Sequence, residues 1–132
     1  MTPVDHAVRR VSLPTSATAA RTARVELAAF LDECGVSPGV IDDAVVIISE
    51  LVTNAVRHAA SGLGGKLRME CNVDLSQLRL QVSDGGRHTR LSLHEQGAVG
   101  GRGLSIVAAL ADSWSLEREE RGTTATAFLS VA

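Results

Sequence analysis

Within residues 37–84 the hydrophobic period of this chain changes from helical to strand-like, and that change constrains its fold more than any other feature. The run SPGVIDDAVVIISELVTNAVRHAASG, residues 37–62, places Ile41, Ala44, Ile48, Leu51 and Ala55 on one stripe at helical spacing. Its β-branched VVII segment would suit a strand, but the helical period continues through both flanks. Ser37 offers an N-cap oxygen, Pro38 suits the first helical position, and Asp42 and Asp43 are expected to complement the positive end of the helix dipole. Directly afterwards KLRMECNVDL and QLRLQVSD alternate, with Leu67, Met69, Cys71 and Val73 on one face and Leu78, Leu80 and Val82 on the other segment's matching face. They read as an antiparallel pair joined near Ser76. A helix with one apolar stripe and a hairpin with one apolar face must cover each other.

The flanking segments extend this plan. RRVSL alternates weakly and suits an edge strand, and PTSATAARTARVELAAFLDECG reads as a helix with Thr15 or Ser16 as N-cap and Gly35 as its stop. DGGRHTRLSLHEQGAVGGRG is polar and glycine-rich, the composition of a long loop. The segment from Arg87 to Gly100 within it is expected to be a mobile lid. GLSIVAALAD reads as a short helix, and SWSLERE with TTATAFLSV as a closing hairpin. The order β-α-α-β-β-loop-α-β-β predicts an α+β fold, a two-layer sandwich with helices on one face of a sheet.

Composition narrows the class. The 132 residues favour one domain over positions 1–132, and 45% hydrophobic content suffices for a core. Only 2% of residues are aromatic, so that core must be built from Ala, Val, Leu and Ile. A formal charge of −2 gives little electrostatic support for nucleic-acid binding. Cys34 and Cys71 stand far apart without CxxC spacing, which makes neither a metal cluster nor a disulfide framework and suits a reducing cytoplasm. No apolar run approaches the roughly 18 residues a membrane span needs, and MTPVDHAVRRVSLP lacks the apolar stretch of a secretory signal.

Four blocks carry polar residues or glycines that a core does not need. Glu50, Asn54 and His58 recur at four-residue steps, which keeps them on one slowly drifting helix face. A carboxylate, an amide oxygen and an imidazole so aligned suit a metal–phosphate ligand, and they equally suit the solvated face of an amphipathic helix. Asp84 ends a strand ahead of Gly85 and Gly86, where a carboxylate can accept from an exocyclic amine or simply begin an Asp-Gly turn. Gly97, Gly100, Gly101 and Gly103 lead into a helix, aiming N–H groups and a positive dipole end at an anion unless the loop is merely flexible. No GK[ST] follows, so it is not a P-loop. Gly122 and Thr123 open the last strand, where the hydroxyl could complete a base pocket, although such pairs are common at hairpin ends.

Taken together, Glu-x-x-x-Asn-x-x-x-His, Asp-x-Gly, Gly-x-Gly and Gly-Thr in this order resemble the GHKL superfamily, the Bergerat ATP-binding fold. ELVTNAVRHA, GGRGLSIVAALAD and Trp114 are most similar to the small bacterial serine kinases that act as anti-sigma factors. The resemblance implies a mixed, mostly antiparallel sheet and binding of ATP with Mg2+. By it, Glu50 is the general base, Asn54 the magnesium ligand and His58 a phosphate contact. Asp84 and Thr123 hold adenine, Gly86 lines its pocket, and Gly101 and Gly103 wrap the phosphates. The implied partners are an anti-anti-sigma antagonist of the STAS type, phosphorylated on serine, and a sigma factor held in competition with it. A cytoplasmic homodimer through the sheet edge and first helix is also implied, with no direct nucleic-acid or membrane contact. Many relatives carry Asp-x-Gly-x-Gly, whereas here the last position is His88. Its Cβ resists positive φ, which predicts a different start to the lid and a weaker hold on nucleotide. A nonenzymatic sequestering module and the catalytic domain of a histidine kinase are the alternatives. Histidine kinases carry a separate dimerisation helix with the acceptor histidine, and the residues given before Ser37 hold only His6, so the second is the less expected of the two.

Overall fold

The computed structural model describes residues 6–59, 67–84, 101–119 and 122–131, without the side chains of 58–59, 101–103 and 118–119. Along the chain run β1 (His6–Leu13), α1 (Ala19–Glu33), α2 (Pro38–Ala59), β2 (Leu67–Asp74) and β3 (Gln77–Asp84), followed by α3 (Gly101–Leu110), β4 (Ser113–Glu119) and β5 (Gly122–Ser130). This is the expected order. The strands form one sheet in the order β1-β2-β3-β5-β4. All four described pairings are antiparallel, so the sheet is not mixed. After β3 the chain leaves the sheet, β4 forms the far edge, and β5 returns between them.

Strand alternation sorts the sheet into two unlike faces. Leu67, Met69, Cys71 and Val73 of β2, Leu78, Leu80 and Val82 of β3, and Ala125, Ala127 and Leu129 of β5 are all buried on the face toward the helices. Opposite them α2 contributes Ala44, Ile47, Ile48, Leu51 and Val52, α1 contributes Ala23, Leu27, Phe30 and Leu31, and α3 contributes Leu104 and Val107. Burying each large aliphatic side chain is worth roughly 1.5–3 kcal/mol, so this interface holds the layers together mainly through aliphatic packing, with Phe30 its buried aromatic. The expected stripe on α2 is shifted rather than absent. Ile47 and Val52 are buried within it, while Ile41 and Ala55 lie at its partly buried margins.

Local signals at helix ends fared unevenly. Gly35 follows α1 at φ 80°, the left-handed conformation that stops a helix at little cost only for glycine. At the other end, α1 begins at Ala19 with Thr18 in the cap position, so neither Thr15 nor Ser16 caps it. Thr18 makes no side-chain cap bond, and Ser16 instead exchanges a 2.9 Å hydrogen bond with the Thr18 hydroxyl. α2 starts at Pro38 as expected, but no acidic residue falls in its first turn. Asp42 and Asp43 lie beyond it, where the dipole's influence has faded. The β2–β3 turn is tied by Asp74, whose Oδ1 accepts from the N–H of Ser76 at 2.8 Å and of Gln77 at 2.7 Å.

Candidate functional site

Asp84 closes β3 and Thr123 sits at the start of β5, and the register pairs them directly across the two strands. Both continue the inward alternation of Val82 and Ala125, so they point toward α2 from one end of the sheet. There the apolar core gives way to a small cleft lined by Leu51, Asn54 and Ala55 of α2, Val82 and Asp84 of β3, Leu116 of β4, and Thr123 and Ala125 of β5. Gly122 enters β5 at φ 149°, a backbone conformation that side chains with a Cβ rarely adopt, so glycine there sets where the strand begins.

The polar atoms of this cleft are unlike those of a finished core. The Thr123 hydroxyl is buried and has no hydrogen-bond partner among the described residues. Oδ2 of Asp84 is likewise buried without a hydrogen bond, although the residue has other interactions, and Asp84 as a whole is only 4% exposed. A buried hydroxyl left unsatisfied costs about 1–3 kcal/mol, a cost that a complementary ligand would relieve. Asn54 contributes an amide to the same cleft. The space these residues enclose is only about 10 Å³, room for one water. What they offer is a polar edge of a hydroxyl, a carboxylate oxygen and an amide on an apolar margin, the groups that pair with a heterocycle bearing an exocyclic amine.

The three spaced residues of α2 diverge in what they reach. Each four-residue step advances about 40° around the helix, so the series drifts from the flank toward the buried stripe. Asn54 has drifted far enough to line the cleft. Glu50 is half-buried one turn earlier and lies outside the lining. Next to it, Ser49 accepts a 3.0 Å hydrogen bond from Arg24 Nη1, which ties α1 to α2 at that turn. The backbone carries His58 one turn beyond Asn54, and its side chain is not among those described. Gly101 and Gly103 form the first turn of α3, a helix that packs against α2. Gly86, with Gly97, Gly100, His88 and the expected lid, lies outside the described residues.

Sequence reasoning missed the walls. Leu116, Val82 and Ala125 had no signal to separate them from the core, because a base-binding wall and a core face use the same aliphatic side chains. Among the described residues no group of three or more His, Cys, Asp or Glu side chains could hold a metal ion, and no helix is long and apolar enough to cross a membrane.

Comparison with known proteins speaks to the family and the fold. A family model, the histidine kinase-like ATPase domain, matches residues 13–128. The chain is 27% identical over 124 residues to the serine-protein kinase RsbW of Listeria innocua serovar 6a, covering 83% of this chain and 79% of that protein. The same identity and coverage hold for RsbW of Listeria monocytogenes serotype 4a. Among solved structures it is similar to the RsbU and RsbW domains of Rv1364c from Mycobacterium tuberculosis, with a TM-score of 0.71 and 26% identity over 93% of this chain. It spans about a third, 31%, of that longer chain.

Proposed function

The chain belongs to the histidine kinase-like ATPase domain family, and from that membership and the cleft we propose that it is an ATP-dependent protein-serine kinase acting as an anti-sigma factor. The observation that carries the nucleotide half is the buried Thr123 hydroxyl, without a hydrogen-bond partner among the described residues, at an apolar cleft that Asn54 and Asp84 also line. Similarity to proteins named serine-protein kinase RsbW supports the kinase half.

In this reading Leu51, Ala55, Val82, Leu116 and Ala125 sandwich adenine while Asp84 accepts from its exocyclic amine and Thr123 bonds a ring nitrogen. Gly86 lines the same pocket. His58, Gly101 and Gly103 face the phosphates, where the N-terminal turn of α3 offers N–H groups. Asn54 holds magnesium, which when bound neutralises phosphate charge. Glu50 takes the proton of an incoming serine hydroxyl as that oxygen bonds to the γ-phosphorus of ATP and the bond to the β–γ bridging oxygen breaks, leaving ADP. Its place outside the adenine cleft is compatible with that role, since a base for the acceptor need not touch the nucleotide's base. The acceptor serine belongs to a small anti-anti-sigma protein of the STAS type, which competes with a sigma factor for this chain. The reading also takes residues 1–132 as one domain of a cytoplasmic homodimer.

Glu50→Gln separates binding from transfer. General-base contributions are typically about 100- to 10,000-fold in rate, so transfer of labelled γ-phosphate to the antagonist should fall steeply while ATP affinity stays near wild type. Transfer at the wild-type rate would remove Glu50 from the mechanism. A wild-type protein that binds ATP but labels no serine of the antagonist would favour the nonenzymatic sequestering module.

A further inference from the structure

We propose that the helix-free face of the sheet, over β1–β3, is a docking surface for an acidic segment of a partner protein, with Arg68 as its anchor. The described helices all cover the opposite face, so the outward residues of β1, β2 and β3 have no layer above them. They form cross-strand rows. One row runs Ser12, Arg68, Ser83, Thr124, Glu117, and the next runs Arg10, Glu70, Gln81, Thr126, Ser115. Arg10, Ser12, Arg68, Glu70, Gln81 and Ser83 line a shallow groove there.

The charges of this groove do not balance. Glu70 is already engaged by three donors: Arg10 at 2.8 Å, Asn72 at 2.9 Å and Arg79. It has little negative charge left to offer Arg68. Within its own row Arg68 meets no carboxylate before Glu117, three strands away. At about 4.8 Å between strands that is about 14 Å, beyond the roughly 8 Å screening length of physiological salt. Asp74, at the other end of β2, accepts from Ser76 and Gln77 in the turn. Arg68 is exposed and no described residue pairs with it. Arg10 is 75% exposed even while bound to Glu70.

A chain of net charge −2 thus presents three guanidinium groups, Arg10, Arg68 and Arg79, against two carboxylates, Glu70 and Asp74, on the outward face of β1–β3, with Asp74 engaged by the turn at the far end of β2. Hydroxyl and amide groups beside them can donate to carboxylates, and although Val11 and Met69 also contribute to the groove, its lining is more polar than apolar. That chemistry selects an acidic peptide over a hydrophobic one. The inference does not rest on the kinase reading, because Arg68 lies on the opposite face of the sheet from the Asn54–Asp84–Thr123 cleft.

The test titrates the purified full chain with a fluorescein-labelled peptide of alternating glutamate and serine, and with its lysine counterpart. The glutamate peptide should bind with an affinity that falls as NaCl rises, and the lysine peptide should not bind. Arg68→Glu should weaken binding at least about tenfold, with Arg68→Ala intermediate and both variants melting near the wild-type temperature. Amide chemical shifts should move at residues 10–12, 68–70 and 81–83. Equal binding by Arg68→Glu and wild type would overturn the proposal. So would shifts confined to the cleft, or sedimentation showing a second copy on this face in a dimer that Arg68→Glu dissociates.

Discussion

Thr123 is the residue at which stability and function are expected to oppose each other. Its buried hydroxyl has no partner among the described residues, so Thr123→Val removes an unsatisfied polar group at nearly constant volume. The ligand-free protein should gain about 1 kcal/mol in urea unfolding, while ADP binding weakens by roughly the same amount. A less stable variant would mean that the hydroxyl is satisfied and that the cleft is ordinary core. Asn54→Ala should weaken binding of ATP more in magnesium than without it, measured by calorimetry. Equal losses in both conditions would take Asn54 away from the metal. Asn54, Asp84 and Thr123 were legible because each is a polar letter in an apolar or glycine-rich setting. Their placement in one cleft was not, since nothing local in the sequence states that β5 returns beside β3 and sets Thr123 opposite Asp84.

Among elements, β1 and α1 are joined by a device that the sequence concealed. The register puts Arg9 on the helix-facing side of β1, opposite Cys71. From there it reaches Glu26 at 3.3 Å and Glu33 at 3.7 Å, and lies 5.3 Å from the Phe30 ring centroid. A charged residue at an inward position is why RRVSL alternates so weakly. Arg9→Ala should cost about 1–2 kcal/mol, as two part-exposed ion pairs and one cation–π contact are lost. Thermal unfolding that leaves the midpoint unchanged would show the clamp to be decorative.

Glu70 marks the other side of the sheet at the same scale. Burial alone would raise its pKa, but hydrogen bonds from Arg10 and Asn72, with the charges of Arg10 and Arg79, hold it below the usual glutamate value. A folded pKa below the unfolded one means that its contribution is present above the unfolded pKa of about 4.3 and is lost as pH falls through the folded value. Glu70→Gln should therefore lose less stability than wild type between neutral pH and about pH 3. An equal loss in the two proteins would place the acid sensitivity elsewhere, for example at Asp74, whose pKa is lowered by hydrogen bonds from Ser76 and Gln77.

For the whole molecule, the two-layer plan followed from periodicity alone, because one amphipathic helix and one alternating hairpin admit few ways to bury their apolar sides. The purely antiparallel sheet and the insertion of β5 between β3 and β4 are long-range pairings that no local pattern specifies. That insertion builds the cleft at the end of the sheet that the chain leaves after β3, with α2 above it. The central claim is that this cleft recognises adenine through Asp84 and Thr123. Calorimetric titration of the wild-type chain with ATP and with GTP in magnesium tests it most directly. A carboxylate oxygen accepts from the amine of adenine and repels the carbonyl of guanine, and a mismatch leaves buried polar groups unpaired. ATP should bind and GTP should bind far more weakly, with the preference reduced in Asp84→Asn. GTP binding as tightly as ATP, or no ATP binding at millimolar nucleotide, would contradict the account.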